Sequence, residues 1–332
     1  MLTVTLPDDD LLARLADLDG CPVPAGTVLG SGSGVPGGAL PAGRVRLVRW
    51  DVRSRLDPAL AAEVDLVVIP HYFVEPGAFD ALAQVPRLRL LQLPSAGYEH
   101  ALPHLPPGVV LCNGRGIHDA GTAEHALGMV LAVQRGIDDS VRAMSTGTWA
   151  PRTTPSLADR RVLVVGDGSV ARALGRRLAA FEVTLVRVAS HARDRPDGHV
   201  HGVDELPALL PDADVVVLLV PLTDATRHLV DARFLASMRD GALLVNVARG
   251  AVVDTDALVA EVRTGRLRAA LDVTDPEPLP ADHPLWHLPG VLVTPHQGGN
   301  TDAALPRTAD LVRRQVAVLL AGDRPLNVVA GA

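Results

Sequence analysis

Residues 162–181, VLVVGDGSVARALGRRLAAF, constrain this chain more than any other stretch. Four strand-forming apolar residues run into Gly-Asp-Gly, and a helical pattern begins at once. A strand that turns on glycines into a helix passes the chain to a second, parallel strand, because the helix carries it back across one face of the sheet. Similar apolar runs recur along the sequence: RVRLVRW, VDLVVIP, LRLLQLP and GVVLCN before it, then VTLVRVAS, ADVVVLLVP, GALLVNVA, LRAALDVT and GVLVTPH after it. Helical or turn-forming residues separate them, so the expected class is α/β with parallel sheets covered by helices. At 332 residues the chain exceeds what one core usually supports, and two domains are expected.

Between the two sets of strands, Asp119 to about Thr146 reads as one long helix with Asp119 as N-cap. The last helical pattern, 305–322, is expected to pack back on the first domain and make it discontinuous. Residues 26–43, GTVLGSGSGVPGGALPAG, read as a flexible surface loop.

Charge and composition narrow the functions. A net charge of -7 argues against nucleic acid or an anionic membrane as partner. All 31 basic residues are arginine, so the chain can supply neither a Schiff-base lysine nor a P-loop lysine. Cys21 and Cys112 are the only cysteines and lack ligand spacing; no disulfide framework and no metal are expected. No apolar run reaches membrane-spanning length, and the acidic start lacks signal-peptide order, so the expected location is cytoplasmic.

In the glycine turn, Gly166 allows the sharp bend and Gly168 lets the backbone approach a pyrophosphate. Ser169 and Val170 open a helix whose N–H groups and dipole favour an anion. Ala171 stands at the third glycine position of a dinucleotide fingerprint. An acid that would bind the adenosine ribose belongs at the end of the next strand, where this chain has Ala189 followed by Ser190, His191, Arg193 and Arg195. Hydroxyl, imidazole and guanidinium suit a 2′-phosphate, so NADP is favoured over NAD.

Three further residues stand at strand ends: Arg249 in NVARG, Glu277 in TDPEPLP and His296 in TPHQGG. A guanidinium grips a planar carboxylate through two parallel hydrogen bonds. A histidine exchanges protons near neutral pH, and a carboxylate partner fixes its tautomer and favours its charged form. Behind a dinucleotide loop, such a set fits reduction of a 2-oxo acid, which needs hydride on carbon and a proton on oxygen.

These residues, and above all VNVARGAVVDTDALVAEVRTGRLRAALDVTDPEPLPADHPLWHLPGVLVTPH, resemble the D-isomer-specific 2-hydroxyacid dehydrogenases. The resemblance implies two doubly wound parallel-sheet domains. A Rossmann-type coenzyme domain, 117–296, would be inserted into a flavodoxin-like substrate domain, 1–116 with 297–332. It implies Arg249 as substrate-binding arginine, His296 as catalytic histidine and Glu277 as its partner. Ser95, Ala96 and Gly97 in PSAGYEH would hold the substrate carboxylate, and Asp272 would contact the nicotinamide carboxamide. Val220, Pro221, Thr226, Val247 and Gly298 would add coenzyme contacts, and a homodimer is implied. Tyr98, His71 and Trp286 are candidates for the far side of the substrate pocket. Glutamate at 277 speaks against formate oxidation, the lack of lysine against phosphite oxidation, and the 36 residues after His296 against a further regulatory domain. Glyoxylate, hydroxypyruvate or a related acid is the expected substrate. A corepressor-like dinucleotide sensor, or a biosynthetic enzyme acting on an unusual acid such as a phosphonate, are the alternatives.

Overall fold

The computed structural model describes residues 1–19, 45–71 and 77–331; the Gly-rich stretch 26–43 and Cys21 lie outside them. The chain forms two compact units, one of Met1–His118 with Asp302–Ala332 and one of Asp119–Thr301.

In the first unit, β1 (Leu2–Leu6), β2 (Val45–Arg49), β3 (Val64–Val68), β4 (Leu90–Gln92) and β5 (Val110–Cys112) make a parallel sheet in the order β5-β4-β3-β1-β2. This is the doubly wound order of flavodoxin-like folds. A closing strand, Val328–Ala330, adds antiparallel to β5. β1 is absent from the sequence expectation, yet it lies inside the sheet with all five residues buried. Its alternating threonines look like a half-exposed edge, but helices cover both faces. The helix Ala304–Ala321 packs Ala309, Val312 and Val316 into the same core as Leu11 and Leu15 of the helix Asp9–Leu15. Gln315, fully buried there, donates to the side chain of Gln92 and the carbonyl of Leu326, and accepts from the Leu326 amide.

The second unit holds β6 (Arg161–Val165), β7 (Thr184–Ala189), β8 (Arg193–Arg195), β9 (Gly198–Gly202), β10 (Val215–Leu218), β11 (Leu243–Asn246), β12 (Arg268–Leu271) and β13 (Val291–Val293). Their order is β13-β12-β11-β10-β6-β7-β9-β8, parallel throughout except for β8. The winding reverses between β6 and β10, and ligands of open α/β sheets bind beyond the carboxyl ends of strands at such a switch point. Two apolar cores, one on each face, are built from Val and Leu of these strands.

One expectation needs correction. The helical stretch after Asp119 is two helices, Asp119–Gln134 and Ile137–Met144. Gly136 between them takes a left-handed conformation, φ +60°, which ends a helix and which periodicity alone does not register. The arginine-rich segment after Ala189 forms the hairpin β8–β9 on the sheet edge.

Candidate active site

Gly166 ends β6 at φ +124°, and a Cβ there would lie 2.4 Å from the carbonyl oxygen of Leu219. Only glycine fits. At Gly168 a Cβ would meet nothing within 4 Å, so the backbone is open on that side to an approaching group. Gly168 also caps the helix Ser169–Leu178 without a side-chain bond, and the first amides of that helix are therefore suited to a phosphate. Ala171 is buried in the core beneath the turn, where its small size lets the helix lie close on the sheet.

Asp167, between the two glycines, is a site residue that sequence reasoning missed. Its side chain is 1% exposed, and its Oδ2 accepts from Arg193 Nη2 and Arg195 Nη1, each at 2.5 Å. Oδ1 is buried with no hydrogen-bond partner among the described residues. Burial acts to raise the carboxyl pKa, but the two guanidiniums outweigh it and hold the value low. Arg193 Nη1 also donates to the carbonyl of His191 at 3.2 Å. The two arginines are thus oriented by the glycine loop itself. Ser190 and His191 are exposed beside them.

Arg249 follows β11. Asn246 shapes the turn: its Oδ1 accepts from the Ala248 amide at 3.0 Å and its Nδ2 donates to the Arg249 carbonyl at 2.9 Å. The Arg249 guanidinium, half-buried, donates to the Ala248 carbonyl at 2.7 Å. Gly250 must be glycine, because a Cβ would stand 1.9 Å from the Thr274 carbonyl oxygen. That close approach joins the arginine turn to the segment leading to Glu277.

His296 Nδ1 lies 2.6 Å from Glu277 Oε1, and both side chains are partly open to solvent. His296 takes φ +50°, a left-handed conformation costly for a side chain larger than glycine. Asp272 holds it there. Its carbonyl accepts the His296 amide at 2.8 Å, and its carboxylate accepts from the amides of Gln297 at 3.0 Å and Gly298 at 2.9 Å. Thr294 Oγ1 donates to the same carboxylate at 2.6 Å, and His125 Nε2 lies 3.1 Å from it. Burial works against ionisation of Asp272, but His125, Thr294 and the two amides prevail and bring its pKa down to about 2.

The remaining candidates fall as follows. Val220 is half-buried, Pro221 is exposed, and Val247 is buried. Thr226 uses its hydroxyl within its own turn, donating to the Pro221 carbonyl at 2.6 Å and accepting from the Thr223 amide at 2.8 Å. In the first unit, Ser95 Oγ donates to the Gly97 carbonyl at 2.7 Å, and Asn113 Nδ2 to the Ala96 carbonyl at 2.7 Å. These bonds shape the loop after β4. Tyr98 packs against that unit's core, and His71 stacks on His118 with centroids 5.1 Å apart. Trp286 donates its indole N–H to Pro280.

Residues 127–298, just over half of the chain, match the sequence profile of the D-isomer specific 2-hydroxyacid dehydrogenase, NAD binding domain. A glyoxylate reductase of Thermofilum pendens is 32% identical over 261 residues, covering 75% of this chain and 77% of that protein. A hydroxypyruvate reductase of Thermotoga maritima is 34% identical over 206 residues, covering 60% of this chain and 66% of that one. Among solved structures, a D-isomer specific 2-hydroxyacid dehydrogenase of Xanthobacter autotrophicus Py2, in complex with NADPH and MES, superposes with a TM-score of 0.77 at 29% identity. That match covers 99% of this chain and 98% of the other. The chain belongs to the D-isomer specific 2-hydroxyacid dehydrogenases, NAD(P)-dependent oxidoreductases.

Proposed function

We propose that the protein reduces small 2-oxo acids of the glyoxylate and hydroxypyruvate class to 2-hydroxy acids, with NADPH preferred over NADH. The observation that carries this reading is the His296–Glu277 pair at 2.6 Å, on a turn held by Asp272 at the carboxyl end of the sheet. Arg249 binds the substrate carboxylate through two parallel hydrogen bonds. His296 donates the proton that the carbonyl oxygen requires as it becomes a hydroxyl. Glu277 holds Nδ1 and so fixes the tautomer and the orientation of the ring. A bound dihydronicotinamide supplies the hydride to the carbonyl carbon.

The coenzyme would be held at Gly166, Gly168, Ser169 and Val170, with Val220, Pro221, Thr226, Val247, Asp272 and Gly298 as further contacts. The preference for NADPH rests on Ala189 in place of an acid and on Ser190, His191 and Arg193. The guanidinium of Arg193 stays 42% exposed while bound to Asp167. Residues 119–301 would then be the coenzyme domain and the other unit the substrate domain.

Coenzyme oxidation followed at 340 nm tests this, with NADPH and NADH in parallel against a panel of 2-oxo acids. Faster NADPH oxidation with glyoxylate or hydroxypyruvate supports it. Faster NADH oxidation would end the phosphate-pocket reading, and no oxidation with any acid would end the reductase reading.

A homodimer is also part of the proposal. Ile137, Val141 and Met144, spaced along one helix face, and Trp149 after them at 93% exposure leave large apolar side chains in water. Sedimentation velocity at twice the monomer mass would support it. Among the described residues no helix is long and apolar enough to cross a membrane, and we propose a cytoplasmic location.

A further inference from the structure

We propose that His199, His201 and Glu205 form a binding site for a divalent zinc-type metal ion on the outer hairpin of the second unit, on elements other than those carrying Arg249, Glu277 and His296. Residues two apart on a strand point to the same side, so β9 presents both imidazoles on one face. Their rings meet edge to face with centroids 4.7 Å apart. Glu205 follows in the turn after the strand and is already oriented. Its Oε1 accepts from the Gly202 amide at 2.8 Å, and its Oε2 lies 2.7 Å from His201 Nδ1.

One ligand atom from each of the three residues lies within 4.8 Å of the other two. Ligands around a tetrahedral zinc ion stand about 3.3 Å apart, given bonds of about 2.0–2.1 Å. Side-chain rotation closes that difference, since the three side chains are 46%, 28% and 39% exposed and not locked by packing. The set of two imidazoles and one carboxylate suits zinc and its neighbours in the first transition row, not magnesium or calcium.

Asp194 adds an outer carboxylate. It stands directly across from His199 in the β8–β9 ladder, with Oδ1 2.7 Å from His199 Nδ1. A carboxylate on the second ring nitrogen fixes the tautomer of a metal-bound histidine and raises its basicity. Two acids beside two neutral imidazoles also give the cluster the negative charge a cation needs. The opposite face of this hairpin carries Arg193 and Arg195, which reach Asp167. A metal ion would therefore fix β9 and the turn after it and, through the Asp194–His199 contact, the strand β8 that carries those arginines. Cysteine spacing, on which the expectation of no metal rests, has no bearing on a His-x-His strand.

The test is isothermal titration of chelator-treated protein with zinc sulfate, for the wild-type chain, a His199→Gln/His201→Gln variant and a His296→Asn variant. The expected result is one strong site per chain, with Kd of about micromolar or tighter, retained in His296→Asn and weakened more than about tenfold in the double variant. Hydrogen exchange over residues 193–205 should slow with zinc in the wild type and in His296→Asn but not in the double variant. Coenzyme oxidation by the double variant without zinc, unchanged within about twofold, shows that it is folded. An unaltered strong site in the double variant, loss of the site in His296→Asn, or no binding by the wild type overturns the proposal.

Discussion

Asp272 accepts the backbone N–H of His296 on its own carbonyl oxygen at 2.8 Å, and its carboxylate takes the amides of the next two residues, Gln297 and Gly298. One buried side chain thus sets the left-handed turn on which the histidine stands. In the proposed reaction this carboxylate acts on His296 through position, and the proton transfer stays with His296.

Replacing Asp272 by Asn keeps the size but puts an N–H₂ where only acceptors are needed. The expected outcome is a fall in kcat of about tenfold or more, with a smaller change in KM for the 2-oxo acid. Steady-state kinetics across pH checks this, since a displaced His296 also moves the pH profile of kcat. A variant with wild-type kcat and profile would remove Asp272 from the positioning role.

The same carboxylate makes stability depend on acid. Its pKa of about 2 in the folded chain lies below the unfolded value of about 3.9. Its contribution is therefore complete above about pH 4 and is lost as pH falls from there toward 2. That contribution is about 3 kcal/mol. Denaturant unfolding between pH 5 and 2.5 should show a weaker pH dependence in Asp272→Asn than in the wild type.

Gly250→Ala drives a methyl group into the Thr274 carbonyl, 1.9 Å from its ideal position. The backbone must move, and a loss of about 3 kcal/mol or more is expected. The Tm should fall together with activity, because Arg249 and the segment before Glu277 share that contact. An unchanged Tm would contradict the close approach.

Arg193→Ala removes one of the two guanidiniums on Asp167. KM for NADPH should rise about tenfold or more while KM for NADH changes little. Parallel titration with both coenzymes reads this directly. Equal effects on the two would detach Arg193 from the 2′-phosphate.

The strands after Gly166 and the pairing of Glu277 with His296 were legible in the sequence because each rests on a local pattern or a motif of fixed spacing. β1 was not, since Thr3 and Thr5 read as exposed until a covering layer is known. Asp167, Asn246 and Gly250 were missed for another reason. Their roles rest on contacts that periodicity does not register: Asp167 meets the β8 arginines 26 and 28 residues on, Asn246 meets the backbone of its own turn, and Gly250 meets Thr274. The glycine directly after the arginine was the only available signal for that packing. The break at Gly136 depends on one backbone angle, which helical periodicity averages away.

The central claim is that His296, oriented by Glu277, supplies the proton in reduction of a 2-oxo acid. The most direct measurement is kcat for NADPH oxidation with glyoxylate or hydroxypyruvate, in the wild type and in His296→Asn. A fall of about 10²- to 10⁴-fold, with NADPH binding retained, is the expected result. An Asn variant that turns over at the wild-type rate would contradict it.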